Sequence, residues 1–452
     1  MISQDLQRIS VIDCPCGWGK SSWGIQYINQ LPDDIRVIYI TPLLTECERI
    51  QTECRQKNFC TPTDIKWVKT KTDNLYELLE AGRNIVSTHV LFAGITDEMI
   101  EKIRIKNYIL ILDEVMDVVT KYSIYDEAYK PSNRKKKLSE EERDHLTKKD
   151  IKSLLLKNVI EVQEDYSLRW VTEEAKFKPY EKLKSLADRG LLYLIDNELL
   201  VWTFPIEVFR EGIFDRIFIL TYMFDCQIQA YYYRFYDLEY GKYYVKDIGD
   251  RVYEIFPALQ DGYDYEWRQS MGSLIHICDN PKINKIGAYY QNAGGRLQRV
   301  ALSKNWYKTA DDATLRVLHQ NIGNYFKNIT KSKSQDRIWT CFKDDKPKMI
   351  RENKELSGKC WIPLTCRATN DYRTRNVLVY PINRYLNPFY DKFFSKKGVV
   401  VDEDRYALSE LIQWLFRSAI RDGNEVWLYC PSQRMRELLV GWIGGERLSK
   451  VG

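Results

Sequence analysis

Residues Cys14 to Ser22 read CPCGWGKSS. Glycines on either side of Trp18 free the backbone to curl, so successive N–H groups can turn inward on an anion. A helix opening directly behind such a loop adds the partial positive charge of its N-terminus. That combination suits a chain of phosphates. Cys16, Gly17, Trp18, Gly19, Lys20, Ser21 and Ser22 are therefore the candidate nucleotide-binding residues. Lys20 would reach the β- and γ-phosphates, and the Ser21 hydroxyl would hold Mg²⁺. The full pattern GxxxxGK[ST] asks for glycine where Cys14 stands. A second pattern, LILDEVMD from Leu110 to Asp117, ends an apolar run in two acids. The ligand crevice of a parallel sheet opens at such strand ends. Asp113 is the candidate partner of Ser21 at Mg²⁺, and Glu114 the group that orients or activates an attacking water.

These residues need a scaffold, and the chain alternates in a way that supplies one. The runs SVIDC (10–14), RVIYIT (36–41), NIVST (84–88) and YILILD (108–113) are spaced by helical patterns at 22–30, 44–56 and 74–81. Apolar strands alternating with helices predict a doubly wound parallel sheet. Residues 121–200 are charged and helix-prone, and are expected to form a helical insertion. RIFILTYMFD (216–225) reads as one more buried strand, followed by a tyrosine-rich helix over 227–236. From 336 the α/β rhythm returns, with strands at 337–342, 360–365, 376–382 and 425–431 and a helix over 407–423. The expected organisation is a first domain over 1–238 and a second over 239–452.

The order of these patterns resembles superfamily 2 helicases of the DEAD/DEAH type, and more narrowly those encoded by bacteriophages. CPCGWGKS is similar to their first motif and DEVM to their acidic box, while VIYITPLLTECERI (37–50) resembles motif Ia and IVSTHVLF (85–92) motif Ib or Ic. ILTYMFD (219–225) stands at motif III, where Thr221 corresponds. CRATNDYRTRNVLVYPINRY (366–385) resembles motif V, and QWLFRSAIR (413–421) motif VI, with Phe416 in place of its glycine and Arg421 one residue late. The resemblance implies two RecA-like domains with ATP and Mg²⁺ in the cleft between them. It assigns Gln413 to the nucleotide and Arg417 and Arg421 to the transition-state charge. Four residues apart on one helix, the two arginines would share a face. It implies nucleic-acid contacts at Thr41, Pro42, Thr88, His89, Thr369 and Asn370, and movement along a strand, DNA rather than RNA. No base-reading Q motif precedes the first strand.

Plainer readings stand beside these. Arg417 and Arg421 would serve equally as surface partners of Glu410 or Glu425, and Thr41 and Thr88 as strand-end caps. His89 suits a structural role as well as a phosphate contact. The run RKKK (134–137) beside EEERD reads as a solvated charged face. The tyrosines of 231–244 read as core or seam before they read as a base-stacking platform.

Composition limits the choice of class. The 452 residues carry a net charge of +5 and are 44% hydrophobic, which excludes overall disorder. No run approaches the roughly 18 apolar residues of a membrane span. The expectation is a cytoplasmic protein, in the bacterial host if phage-encoded, with no membrane partner. Single-stranded or forked DNA, with replication or recombination proteins, are the expected partners. Eleven cysteines lack the spacing of a disulfide or iron–sulfur framework. Two further classes remain open: a packaging or remodelling ATPase of terminase type, and a nucleotide-gated assembly factor with little hydrolysis.

Overall fold

The computed structural model describes residues 6–64, 69–122, 146–173, 178–258, 262–364 and 371–445. Strands β1 (Ile9–Asp13), β2 (Arg36–Thr41), β3 (Ile85–Thr88) and β4 (Tyr108–Asp113) form where the apolar runs predict them, with helices Lys20–Gln30, Leu44–Glu53, Lys71–Glu80 and Asp97–Arg104 between them. Both β1 and β4 are buried along their whole length. This is why they read as continuous apolar runs rather than alternating ones: helices cover both faces of a parallel sheet.

The segment after β4 is not purely helical, which corrects the expectation for 121–200. Its helices Lys148–Leu156 and Lys178–Asp188 are accompanied by β5 (Val119–Lys121), β6 (Ile160–Val162), β7 (Leu168–Trp170), β8 (Leu192–Ile195) and β9 (Leu199–Thr203). These make two small sheets, β5-β9-β8 and β6-β7. Strands of three residues are too short to show a period, so the charged helical stretches dominated the reading. The RKKK run lies outside the described residues.

The chain then rejoins the main sheet through β10 (Phe214–Thr221), the helix Ile228–Phe235, β11 (Gly241–Asp247) and β12 (Tyr253–Pro257). The sheet order is β12-β11-β1-β10-β4-β2-β3. β12 is antiparallel to β11, and β11 lies parallel to β1. The first sheet thus runs past residue 238 to Pro257.

The second sheet is smaller. β13 (Ile275–Ile277), β16 (Arg337–Trp339), β17 (Val377–Val379) and β18 (Val426–Tyr429) pair in parallel in the order β13-β18-β17-β16, while β14 (Tyr290–Gln291) and β15 (Leu297–Gln298) form a separate hairpin. Helices Tyr265–Ser273, Asp312–Asn324, Glu403–Leu415 and Gln433–Gly444 accompany the sheet. Of the expected strand over 360–365, the described residues 360–364 form only a single bridge, from Trp361 to Trp339. Each sheet has its own buried core. Phe393 and Phe394, from the later half, pack into the first core, with Phe393 stacked on Phe235 at 4.5 Å between ring centroids.

Candidate functional site

The loop from Cys14 to Gly19 leaves the C-terminal end of β1 and enters the helix Lys20–Gln30. Gly17 and Gly19 adopt left-handed backbones, with φ of 93° and 91°. Glycine is also the residue that fits at Gly19 sterically: a side chain there would meet the Tyr253 ring, 2.2 Å from its Cε1. Lys20 is buried, and its Nζ donates to the carbonyls of Cys14 at 2.5 Å and Pro15 at 3.0 Å. The ammonium therefore sits inside the curl of the loop. Burial works against its charge, but the surrounding Cys14, Cys16, Glu114 and Asp13 outweigh burial and raise its pKa. Burial pushes the Cys14 thiol up to about 11, so it stays protonated at neutral pH.

Asp113 ends β4 two strands away from β1. The Ser21 hydroxyl lies 3.4 Å from each Asp113 carboxylate oxygen, and Tyr39 donates to Oδ2 at 3.0 Å. Burial first, and the neighbouring Glu114 second, push Asp113 up to about 7. A hydroxyl and a carboxylate side by side are hard oxygen donors, the kind Mg²⁺ takes from a protein while keeping waters and phosphate oxygens for the rest of its shell. These residues fit that ion.

Glu114 has a positive φ of 68°. A non-glycine residue held there costs about 1–3 kcal/mol and persists where its surroundings fix it. Here its N–H donates to the Leu220 carbonyl at 2.9 Å, and the Thr221 hydroxyl donates to its Oε2 at 3.2 Å. Thr221, at the end of β10, is itself bonded by the Gln227 amide at 3.3 Å. The next turn is held from β1, where the Asp13 carboxylate accepts the backbone N–H groups of Met223 at 2.7 Å and Phe224 at 3.1 Å.

The later half closes the site. A cavity of about 500 Å³ is lined from the first half by Cys16, Gly17, Gly19, Lys20, Ser21 and Ser22 together with Asp113 and Glu114. Across it stand Gln413, Arg417 and Arg421. The two arginines do not share a helix face, contrary to the spacing argument. The helix Glu403–Leu415 ends at Phe416, and Arg421 belongs to a separate turn, Ala419–Asp422. Ser418 turns extended, with φ of −91° and ψ of −171°, and the Ala419 N–H leaves the helical ladder to donate to the Arg375 carbonyl at 2.9 Å. Arg417 is nevertheless buried beside the cavity, and the Arg421 backbone carbonyl lies 3.7 Å from where a Gly17 side chain would stand.

The Trp18 side chain packs on Tyr244, Tyr263 and Trp267, edge-on to Trp267 at 6.0 Å. Trp267 in turn stacks on Phe416. Sequence reasoning missed several cavity residues. Glu46 and Arg49 lie one helical turn apart on Leu44–Glu53 and are paired at 3.3 Å. Arg373 pairs with Asp422 on the opposite wall. Tyr253 arrives from β12 with no local signal in its surroundings.

Four of the expected nucleic-acid contacts gather at the ends of β2 and β3, where Thr41 pairs with Thr88. Thr41 is fully buried, with no partner for its hydroxyl among the described residues. Thr88 accepts the Leu91 N–H at 3.5 Å as the N-cap of the turn His89–Phe92, which is its capping role. Pro42 and His89 are partly exposed at the same edge of the sheet. Thr369 and Asn370 lie outside the described residues. Tyr231, Tyr232 and Tyr233 are buried in the first core, and burial raises the thiols of Cys47 to about 11 and Cys54 to about 12. No described helix is long and apolar enough to cross a membrane.

Comparison with known proteins adds a family. Residues 269–443 match the model of the YonV C-terminal Rossmann-like domain, and residues 142–202 that of the YonV middle domain. The SPbeta prophage-derived uncharacterized protein YonV of Bacillus subtilis (strain 168) is 36% identical over 450 residues, spanning 98% of this chain and 100% of the relative. A solved structure titled for S. tokodaii Xpd4 superposes with a TM-score of 0.41 at 12% identity, over 96% of this chain and 93% of that one.

Proposed function

The chain belongs to the YonV family, and from the chemistry of its central cavity we propose that it is an ATP-hydrolysing motor that moves along nucleic acid. The two halves act as RecA-like lobes, the first ending near Pro257 and carrying the 119–203 segment as an insertion. One observation carries the reading: a glycine loop with its lysine, a serine–aspartate pair, a glutamate and two arginines from the opposite half line one cavity.

Each group has work to do there. The loop N–H groups and the Lys20 ammonium would take the β- and γ-phosphates once Lys20 exchanges its own loop carbonyls for them. Ser21 and Asp113 would hold Mg²⁺, which supplies positive charge against the phosphate oxygens. Glu114, aimed by Thr221, would orient the attacking water. Arg417 and Arg421 would reach the charge that builds in the transition state only when the halves close, which couples turnover to their relative movement. Backbone phosphates along the strand-end edge would give affinity with little sequence readout. The prophage origin of the Bacillus relative supports a phage-type motor working on DNA in the cytoplasm of a bacterial host, alongside replication or recombination proteins.

Steady-state hydrolysis and equilibrium ATP binding of Arg421→Ala and Arg417→Ala test the proposal. Turnover is expected to fall about 10³-fold or more, as for removal of an arginine finger, with ATP affinity changed far less. Unchanged turnover in both variants rejects the motor. ATP binding without hydrolysis in the parent, with any polymer added, assigns the chain to the nucleotide-gated class instead.

A further inference from the structure

The cavity has an end that the phosphate chemistry leaves unused. Asp113 lies on one side of the glycine loop, at the end of β4, two places from β1 in the sheet. On the other side β12 also lies two places from β1. At about 4.8 Å per strand, each is roughly 10 Å from the loop's own strand. β12 is antiparallel, so it begins at the edge where β1 ends: Tyr253 pairs with Asp247, four residues beyond the Tyr243 that lies beside Ile12. Tyr253 therefore overhangs the loop.

Two further observations fix it there. The Cδ1–Cε1 edge of its ring rests against Gly19, the position at which a Cβ would collide. Its backbone is clamped to the first helix of the site, the Gln26 amide donating to the Tyr253 carbonyl at 2.8 Å and the Tyr253 N–H returning to Gln26 Oε1 at 3.0 Å. Gln26 thereby satisfies the outer edge of a terminal strand and holds an aromatic ring in the cavity wall. The loop, its lysine and the Asp113 side account for phosphates and metal. A nucleotide held there by its phosphates must send its sugar and base out on the side away from Asp113.

We propose that Tyr253 is the stacking residue for the base of the bound nucleotide, supplied from an edge strand far downstream of the glycine loop rather than from residues ahead of it. This rests on the reading of the glycine loop as a phosphate site. The Tyr253 face takes a planar heterocycle, and Gln26 fixes the backbone from which that ring projects. Stacking contributes affinity for the nucleoside part of the ligand and none for the polyphosphate.

The test compares Mg²⁺-dependent binding of ATP and of inorganic tripolyphosphate by calorimetry on the full chain, for the parent, Tyr253→Ala, Tyr253→Phe and Lys20→Ala. Tyr253→Ala is expected to weaken ATP about ten-fold or more, as loss of a base–aromatic stack does, and to leave tripolyphosphate unchanged. Tyr253→Phe keeps the ring and retains most of the ATP affinity. Lys20→Ala weakens both ligands. Equal ATP affinity in the parent and Tyr253→Ala, or equal weakening of both ligands by Tyr253→Ala, overturns the base assignment while the phosphate site stands. A parent that binds neither ligand overturns the phosphate site, and the base assignment with it. Far-UV circular dichroism and a denaturant melt establish that each variant is folded before its affinities are compared.

Discussion

Phe416 stacks on Trp267, with 5.2 Å between ring centroids and 29° between planes. Phe416 stands where motif VI of the resembling helicases has glycine, and it immediately precedes Arg417. Trp267 also receives the edge of Trp18, from inside the glycine loop. Trp18 and Phe416 thus meet on one ring, which ties the glycine loop to the turn that carries the arginines. Trp267→Ala should lower kcat about ten-fold while KM for ATP changes much less, and Trp267→Phe should recover most of the loss; aromatic pairs of this kind contribute about 0.5–1.5 kcal/mol beyond their buried area. Steady-state kinetics on the three proteins check it, and equal kcat in all three would contradict it.

The Thr221 hydroxyl, at the end of β10, reaches Glu114 at 3.2 Å. A hydrogen bond to a charged group contributes about 1.5–3 kcal/mol, so Thr221→Val should lower kcat roughly ten- to hundred-fold. Thr221→Ser, which keeps the hydroxyl, should stay near the parent. Loss of ATP affinity without loss of kcat would show that the contact does not aim Glu114.

Asp13 supplies a pH dependence of stability. Burial, with a smaller contribution from Asp225, pushes its carboxyl up to about 6, above the unfolded value of about 4. The folded protein holds this proton more tightly than the unfolded chain. The group's contribution is complete below about pH 4 and is lost as pH rises through about 6. The unfolding free energy of the parent minus that of Asp13→Asn should therefore fall between about pH 4 and 6 and level off above. Denaturant melts across that range measure it, and a flat difference would count against the buried acid.

The parts legible in the sequence were those in which a few neighbouring residues decide the outcome. Glycines, a lysine and a following helix announce the loop, and an apolar run ending in Asp113 and Glu114 announces the acid pair. The arginines were legible as residues but not as geometry. Helical periodicity runs through 407–423, whereas Ser418 adopts an extended backbone and the Ala419 N–H bonds the Arg375 carbonyl, which ends the helix early. Tyr253 and Trp267 were not legible at all, because their importance comes from contacts with Gly19, Trp18 and Phe416 across the fold. The strands after residue 238 were read as belonging to the second half for the same reason: pairing of β11 with β1 is a long-range choice that local composition does not encode.

If the cavity turns over ATP in response to a nucleic-acid track, ATP hydrolysis by the parent and Lys20→Ala, each alone and with single-stranded DNA, duplex DNA or single-stranded RNA, reads it out. Single-stranded DNA is expected to stimulate the parent strongly, and Lys20→Ala to lose both basal and stimulated turnover. Hydrolysis that no polymer alters, or that survives in Lys20→Ala, would contradict it.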